Sequence, residues 1–443
     1  FFTGIVRFNA ATRTNPDVAS LIGRSTTVQG AVWAEPLFGA QSQTLRVRVH
    51  TIDSRRGTAP FVVRAISKKY PAYEIGEELI LSGRISDPAD DANYQSHAPM
   101  QEPIMLFPHV EKMNVSNQRP IMHGLASLKY AFKKNIDAAL PEPHSAFLKG
   151  LLLGERASLP ADLVDGFKKT GTTHMIALSG YNITIVGRSL SRVLMLLTLP
   201  FYTSFWVAMS AMILFVVMTG ASASAVRAGI IAVLALVAHR EGRPYQMTNA
   251  LACAGAVMLM FDPTLLRFDA GFQLSFLATM GIVYLSPRVG HRVDAGIYRL
   301  QKLLRMNPAS PALRRDYADN AAIKQILIET LAAELAVLPL LIYLFGYLSI
   351  ISPLANIAAL IAVPAAMGAG VFTGLAGFIS SALGGVIGIA SWVLLEYIMD
   401  AVRFFAAFPY ATIEFGRGGM FVILALYGAV AWKIYYQRKK SGG

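Results

Sequence analysis

The chain has 443 residues, of which 54% are hydrophobic and only 15% are charged, and its formal net charge is +13. Soluble domains usually carry about 25% charged residues, so this composition excludes an ordinary soluble enzyme of this length. After residue 140, long stretches contain no ionisable side chain. The sequence therefore predicts a polytopic α-helical membrane protein with a polar N-terminal domain.

The first 22 residues begin with Phe1 rather than with methionine and show no signal-peptide pattern. We interpret residues 1–22 as the end of a membrane helix that is otherwise missing, followed by a linker. The chain has a single cysteine, Cys253, within an apolar run. A lone cysteine excludes a disulfide framework and a cysteine-based metal site within this sequence.

Residues 23–118 show the period-two pattern of short strands. Leu45, Val47 and Val49 alternate with Arg46, Arg48 and His50. Turn residues separate further strand candidates at Ser25–Trp33, Phe61–Ile66 and Glu78–Ile85. Five short strands in fewer than a hundred residues are typical of a small all-β barrel, so we predict an OB-like domain over 23–118.

One face of this predicted barrel is basic and contains aromatic residues. OB-folds often bind single-stranded nucleic acid through such a face, because cations contact phosphates and aromatic rings stack on bases. The alternative is that these charges are simply the solvated side of the barrel. The candidate DNA-binding residues are Arg46, Arg48, Arg64, Lys68, Lys69 and Arg84, with Trp33, Phe61 and Tyr70 as stacking platforms.

Residues 119–173 are predicted to form amphipathic or interfacial helices. Gly166–Thr173 resembles a phosphate-binding loop, but no lysine follows Gly171, so a Walker site is rejected. A serine-hydrolase elbow also fails, because Ala177 and Tyr181 occupy the positions of its two glycines. The eight histidines show no metal-binding spacing. We therefore predict no catalytic residue, no metal site and no cofactor.

Charge-free runs predict about nine membrane spans within 174–437, followed by a basic tail at 438–443. About 20 apolar residues are needed to cross the hydrocarbon core. The runs are Val193–Val226, Pro244–Phe261, Ala270–Pro287, the 61 residues between Glu334 and Glu396, and Gly418–Trp432. The four predicted spans after the Arg288–Arg315 connection cover about 321–346, 350–376, 381–408 and 417–436.

Basic loops predict the orientation. The Arg288–Arg315 connection and the C-terminus are both rich in arginine and lysine, so both are expected in the cytoplasm. Four spans between them agree with that assignment, and five spans before them place the N-terminal domain outside. The apolar run after Arg227 has only 11 residues. If that segment is re-entrant, the N-terminal side is reversed.

Polar residues within the predicted spans are functional candidates, because polar groups at membrane depth are costly. Arg227 follows a run of small residues, and Asp269, Gln273 and Ser275 begin a later span. Asn356 lies between Pro353 and Pro364, where we expect a broken helix. The alternatives are a snorkelling arginine, interfacial caps and a helix-packing hydrogen bond.

Five ordered blocks of the sequence lie at 150–160, 167–185, 218–229, 262–282 and 338–364. Together they resemble the ComEC-type competence family, whose members form an inner-membrane channel for DNA uptake. The family's histidine, Ser-Gly pair, arginine and late asparagine match His174, Ser179, Gly180, Arg227 and Asn356. Many members carry a second histidine where this chain has Tyr181 and Asn182. The blocks are GLLLGERASLP (150–160), FKKTGTTHMIALSGYNITI (167–185), MTGASASAVRAG (218–229), DPTLLRFDAGFQLSFLATMGI (262–282) and LPLLIYLFGYLSIISPLANIAALIAVP (338–364).

The resemblance implies a channel in the cytoplasmic membrane that imports single-stranded DNA during natural transformation. Its expected partners are single-stranded DNA, the lipid bilayer, a DNA receptor and a cytoplasmic motor or single-strand-binding proteins; a homo-oligomer is left open. The rivals are a transporter for another anionic or polymeric substrate and a membrane scaffold without a conduit. The expected path residues are His174, Ser179, Gly180, Tyr181, Asn182, Arg227, Asp269, Gln273, Ser275 and Asn356.

Many members of the family also carry a C-terminal metallo-β-lactamase-like domain that degrades the strand that is not imported. The present chain ends at Gly443 without the HxHxDH pattern of that domain. We therefore expect this chain not to be an enzyme, and any nuclease step to require another protein or a missing part of this one.

Overall fold

A computed structural model gives the fold of the chain. It describes residues 21–32, 36–38, 42–53, 55–68, 70–71, 73, 76–86, 103–112, 120–155, 159–176, 180–196, 198, 200–303, 321–415, 421, 425 and 427–428.

The N-terminal domain is a closed antiparallel barrel with one parallel strand pair. Its five strands follow the order β1-β3-β4-β6-β5, and β1 pairs with β5 to close the ring. Two further strands, β2 and β7, pair with β3 and β5. The strands are β1 (Ser25–Val32), β2 (Leu37–Phe38), β3 (Ser42–Ile52), β4 (Arg55–Lys68), β5 (Glu78–Ser86), β6 (Ile104–Leu106) and β7 (His109–Lys112).

Alternation along the strands explains the barrel. Leu45, Val47 and Val49 of β3 point inward and are at most 1% exposed, while the residues between them face outward. The core also contains Val63 of β4 and Leu81 of β5. Because the strands β1, β3, β4 and β5 each turn apolar side chains inward, closing the sheet buries these side chains at once. The OB-like fold predicted from the sequence is confirmed.

The rest of the described chain is helical, apart from a two-stranded ribbon. The helices are α1 (Pro120–Ala139), α2 (His144–Leu153), α3 (Ala161–Lys169), α4 (Thr173–Ile176), α5 (Gly180–Leu196), α6 (Phe201–Met218), α7 (Ala223–Arg240), α8 (Met247–Phe261), α9 (Leu265–Phe268), α10 (Ala270–Leu303), α11 (Ala321–Phe345), α12 (Ser352–Ala376) and α13 (Ser381–Ala406). The ribbon pairs β8 (Tyr347–Ser349) with β9 (Thr412–Glu414).

Five of these helices are long and apolar enough to cross a membrane: α7, α10, α11, α12 and α13. The apolar parts of α6 and α8, Tyr202–Met218 and Met247–Phe261, are shorter. A polytopic helical membrane protein is therefore confirmed. The total of about nine spans stays a prediction, since most of the last predicted span, the basic tail and residues 1–20 lie outside the described residues.

The structure corrects two expectations about particular helices. All ten residues of α2 are buried, so this helix is enclosed rather than amphipathic. Its one lysine, Lys149, is held by Asp137 at 2.5 Å. The helix around Asn356 is not broken, because α12 is continuous from Ser352 to Ala376. Pro353 lies in its first turn, where the missing N–H has no helical acceptor to lose.

The described chain divides into two compact units, which we treat separately. The first unit contains the barrel, α1, α2, α5 to α9, the end of α12 and the start of α13. The second unit contains α3, α10, α11, the start of α12, the end of α13 and the β8–β9 ribbon, together with most of α4.

Candidate functional site

In the first unit, the guanidinium of Arg227 lies against the first residue of α5. A Cβ atom at Gly180 would be only 2.8 Å from Arg227 Nη2, so glycine permits this contact. Arg227 is the fifth residue of α7 and is only 7% exposed. Ala225 and Ala228 of the same helix form a small apolar core with Ile183 of α5 and Met212 of α6. The absence of a side chain at Gly180 thus allows α5 and α7 to approach closely.

Asn182 fixes the start of α5 to another helix of the same unit. It is 2% exposed, and its Nδ2 donates to the carbonyl oxygen of Leu151 in α2 at 3.1 Å. A buried amide must be hydrogen-bonded to be tolerated. The contact therefore sets the position of the residues that face Arg227. The structure therefore brings together predicted residues from two separate blocks of the sequence. Gly180 and Asn182 come from the block 167–185, and Arg227 comes from the block 218–229.

This arrangement suits an anion. The guanidinium of Arg227 adds a full positive charge beside the start of α5. Arginine side chains bind phosphate groups readily, because the guanidinium supplies several N–H donors and a positive charge.

In the second unit, a buried turn joins α3 to α4. Thr170 and Thr172 are fully buried and share a hydrogen bond of 2.7 Å. Gly171 has φ +68°, a conformation that favours glycine, and a Cβ there would lie 2.7 Å from Ser352 Oγ. Ser349 Oγ donates to the Lys169 carbonyl oxygen at 2.7 Å. The turn and the start of α12 are therefore packed together.

A chain of polar side chains continues from this turn. Ser352 Oγ donates to the Glu334 carboxylate of α11, and Asn356 Nδ2 donates to Ser352 Oγ at 3.1 Å. Ser352 and Asn356 are both at least 96% buried, whereas Glu334 is half-buried. The helix-packing hydrogen bond that was the alternative for Asn356 is thus present, and it leads to a carboxyl group.

Sequence reasoning missed Glu334. It served only as the boundary of the 61-residue charge-free run, although the predicted span 321–346 contains it. Counting ionisable residues inside each predicted span would have found it. An acidic residue at membrane depth is a functional candidate in its own right.

The other predicted path residues lie as follows. His174 is exposed on α4, and Asp269 precedes α10, which carries the half-buried Gln273 and Ser275 near its start. Tyr181 belongs to α5, but its side chain lies outside the described part, as does Ser179. Within that part, no group of three or more histidine, cysteine, aspartate or glutamate residues is arranged to hold a metal ion.

The barrel carries its arginines on adjacent strands. Arg46 of β3 lies opposite Arg64 of β4, and Arg48 lies two residues along on the same outward face. Lys68 is exposed at the end of β4, and Arg84 is exposed on β5. Neighbouring basic side chains on one sheet face give a local positive potential.

The predicted stacking platforms need correction. Phe61 is 6% exposed and belongs to the barrel core, because its inward position in the alternation outweighs its aromatic character. Trp33 and Lys69 lie outside the described residues. Among the described residues of this domain, two aromatic rings are exposed: Tyr70, at 75%, and Phe107, at 64%. Phe107 was missed because it follows the short strand β6 and shows no alternation.

Comparison with known families decides the classification. The Competence protein family model matches residues 151–440. The chain belongs to the Competence protein family. Residues 151–440 include both polar clusters, around Arg227 and around Glu334, whereas the barrel precedes them. The resemblance to the ComEC-type competence family is confirmed.

A curated relative of the chain is "ComE operon protein 3" of Bacillus subtilis (strain 168). It is 22% identical over 315 residues, which cover 70% of this chain. The same alignment covers 37% of the relative, so the chain spans well under half of that protein. No solved structure matches the chain.

Proposed function

We propose that this Competence family protein is the conduit through which single-stranded DNA crosses the cytoplasmic membrane during natural transformation. Family membership and the membrane-spanning helices support the proposal. The observation that carries it is the contact between the buried guanidinium of Arg227 and the start of α5.

The physical problem of such a conduit is charge. A DNA strand brings about one negative charge per nucleotide into a slab of low dielectric constant, where an unpaired charge is strongly disfavoured. A path for it must be polar and must offer positive charge at some depth. Arg227 lies about 6 Å along α7 from its first residue, since each helical residue rises about 1.5 Å. It offers a fixed cation within a candidate span.

In this proposal the barrel holds the incoming strand. Arg46, Arg48 and Arg64 contact phosphates, and exposed aromatic rings such as Phe107 stack on bases. The barrel lies on the extracytoplasmic side of the membrane and the C-terminus lies in the cytoplasm, as the basic loops predict. A separate receptor delivers the DNA, and a cytoplasmic motor or single-strand-binding proteins draw it inward.

The proposal is tested by transformation of the source organism or of a transformable relative. An in-frame deletion is complemented with the wild type, with Arg227→Ala, or with Arg243→Ala. Arg243 is exposed in the loop after α7 and is the matched control. Surface-bound DNA and labelled DNA inside the cytoplasm are counted separately, and the amount of each variant in the membrane is measured.

We expect the deletion to retain bound DNA but to lose entry, and Arg243→Ala to restore entry. Arg227→Ala should fail to restore it at equal abundance in the membrane. Normal entry in the deletion strain, without a second channel, contradicts the proposal. That result favours the rival, a transporter for another anionic or polymeric substrate.

A further inference from the structure

The carboxyl group of Glu334 lies at the middle of a candidate membrane span. Glu334 is the eleventh residue of the 22-residue segment Lys324–Phe345. Within the described chain, no lysine, arginine or histidine forms an ion pair with it, and Ser352 is its hydrogen-bond partner. An ionised carboxylate at that depth is strongly disfavoured without a countercharge. The simplest way to remove the charge is to bind a proton.

The hydrogen bonds around Glu334 can form with both the ionised and the protonated state of its carboxyl group. When it is ionised, the Ser352 hydroxyl donates to it and the Asn356 amide donates to Ser352, as the structure shows. When a proton joins the carboxylate, the new O–H can donate to Ser352 Oγ. Ser352 then turns its own proton away from Glu334. A hydroxyl can reverse its role in this way because it is both a donor and an acceptor.

Asn356 supplies the matching partner for the reversed hydroxyl. Its amide carries a donor and an acceptor, so after rotation it can accept from Ser352 instead of donating to it. Asn356 is 3% exposed, and its Oδ1 has no hydrogen-bond partner in the described structure. A buried oxygen of that kind is unusual and calls for an explanation. It is an unused acceptor beside Ser352.

We propose that Glu334, Ser352 and Asn356 form a proton-binding site at the centre of a membrane-spanning helix. Glu334 takes up and releases the proton, and the other two residues reverse their hydrogen bonds as it does so. The proposal does not depend on which cargo the protein carries.

Other titratable groups lie on the elements packed against α11 or against Ser352. They are Tyr284 on α10, Lys169 and His174 on the α3–α4 segment, Tyr347 on β8, and Tyr427. Lys169 is paired with Asp165 at 2.9 Å, and the Tyr427 hydroxyl donates to the Leu335 carbonyl. The basic residues and the histidine of α10 lie towards the start of α11, where Asp294 pairs with Lys324. These residues are Arg288, His291 and Arg292.

Proton binding at Glu334 also affects the neighbouring turn between α3 and α4. Gly171 packs directly on Ser352, and Ser349 holds the carbonyl of Lys169. A change in the hydrogen bonds of Ser352 therefore acts on the turn that precedes His174. The proton site and the turn between α3 and α4 are therefore in direct contact through Ser352 and Gly171.

The test is infrared difference spectroscopy of the full chain in lipid nanodiscs during a pH titration, with and without sodium chloride. Glu334→Gln is compared with Glu329→Gln, a control on the same helix whose carboxylate is bound by Gln325 at 2.6 Å. Ser352→Ala and Asn356→Leu keep the carboxyl but remove its partners. These two variants also cover the case in which Glu334→Gln does not fold.

We expect one carboxyl C=O band that grows as pH falls, is lost in Glu334→Gln and is kept in Glu329→Gln. Ser352→Ala and Asn356→Leu should shift the frequency of that band, since its hydrogen bonding changes. The proposal is overturned if Glu334→Gln leaves every titrating band unchanged. It is also overturned if the band responds to sodium rather than to pH, or if neither partner variant shifts it.

Discussion

The barrel and the helical region place their polar side chains in opposite ways. In the barrel, the residues that point inward are apolar, and the arginines of β3 point outward. In the helical region, large apolar residues such as Val386, Ile389 and Phe404 are exposed, while Asn182, Arg227 and Asn356 are buried. The same side-chain chemistry therefore has a different role in each region.

The difference follows from the surroundings of each region. Water surrounds the barrel, so burial of apolar side chains drives its folding. Lipid surrounds the helices, so apolar side chains gain little by turning inward, and buried polar groups hold helices together. Polar residues inside the helical region are therefore the ones to examine for function.

The largest expected effect is on the barrel core. Leu81→Ala removes a fully buried side chain and should lower the free energy of unfolding of the barrel by about 2–5 kcal/mol. Proteolysis of the barrel in the full chain, at increasing urea concentration, measures the loss. Leu106→Ala is the control, because Leu106 is 53% exposed, and it should change stability by less than about 0.5 kcal/mol. Equal effects of the two changes would contradict the assigned core.

A polar-to-apolar change should destabilise the helical region. Asn182→Leu removes the hydrogen bond to the Leu151 carbonyl and leaves a buried acceptor unpaired, at about 1–3 kcal/mol. The melting temperature of the detergent-solubilised chain should fall. Val386→Ala, at an exposed apolar position of α13, should leave it nearly unchanged. A melting temperature that Asn182→Leu leaves unaltered would show that polar contacts do not hold this region together.

The smallest effect on stability is expected on the basic face of the barrel. Arg46→Gln with Arg48→Gln should change the free energy of unfolding by less than about 0.5 kcal/mol, because both side chains are exposed. If both contact phosphates, the slope of log affinity for single-stranded DNA against log salt should fall by about 1.4. Binding of a fluorescent oligonucleotide at several salt concentrations gives the slope. Arg24→Gln, at an exposed position directly before β1, is the control and should leave the slope close to that of the wild type. An unchanged slope in the Arg46→Gln/Arg48→Gln double variant would exclude this face.

Sequence reasoning predicted the barrel better than the helical sites. Strict alternation at Leu45, Val47 and Val49 identifies the inward face, because a strand has only two sides. The prediction that Phe61 lies on the outer face was wrong, because aromatic character was given more weight than the position of Phe61 in the strand. The pattern could not reveal Phe107, which lies in a turn.

In the helical region, composition located the spans but not the contacts. Gly180 and Arg227 could be named from the family resemblance, yet their mutual contact depends on how α5 packs against α7. Glu334 was available from the sequence as an acidic residue inside a span. Its link to Ser352 and Asn356 requires the crossing of α11 and α12, which no local pattern encodes. Proline alone was also misleading at Pro353, because its effect depends on where the helix begins.

The most direct test of the proposed conduit is the passage of single-stranded DNA into sealed liposomes that contain the purified full chain. A labelled oligonucleotide is driven inward by a single-strand-binding protein trapped inside, and external nuclease removes what has not entered. The wild type and Arg243→Gln should import the oligonucleotide, Arg227→Lys should import less, and Arg227→Gln should import almost none. Equal import by the wild type and Arg227→Gln, or no import above empty liposomes by any variant, would contradict the account.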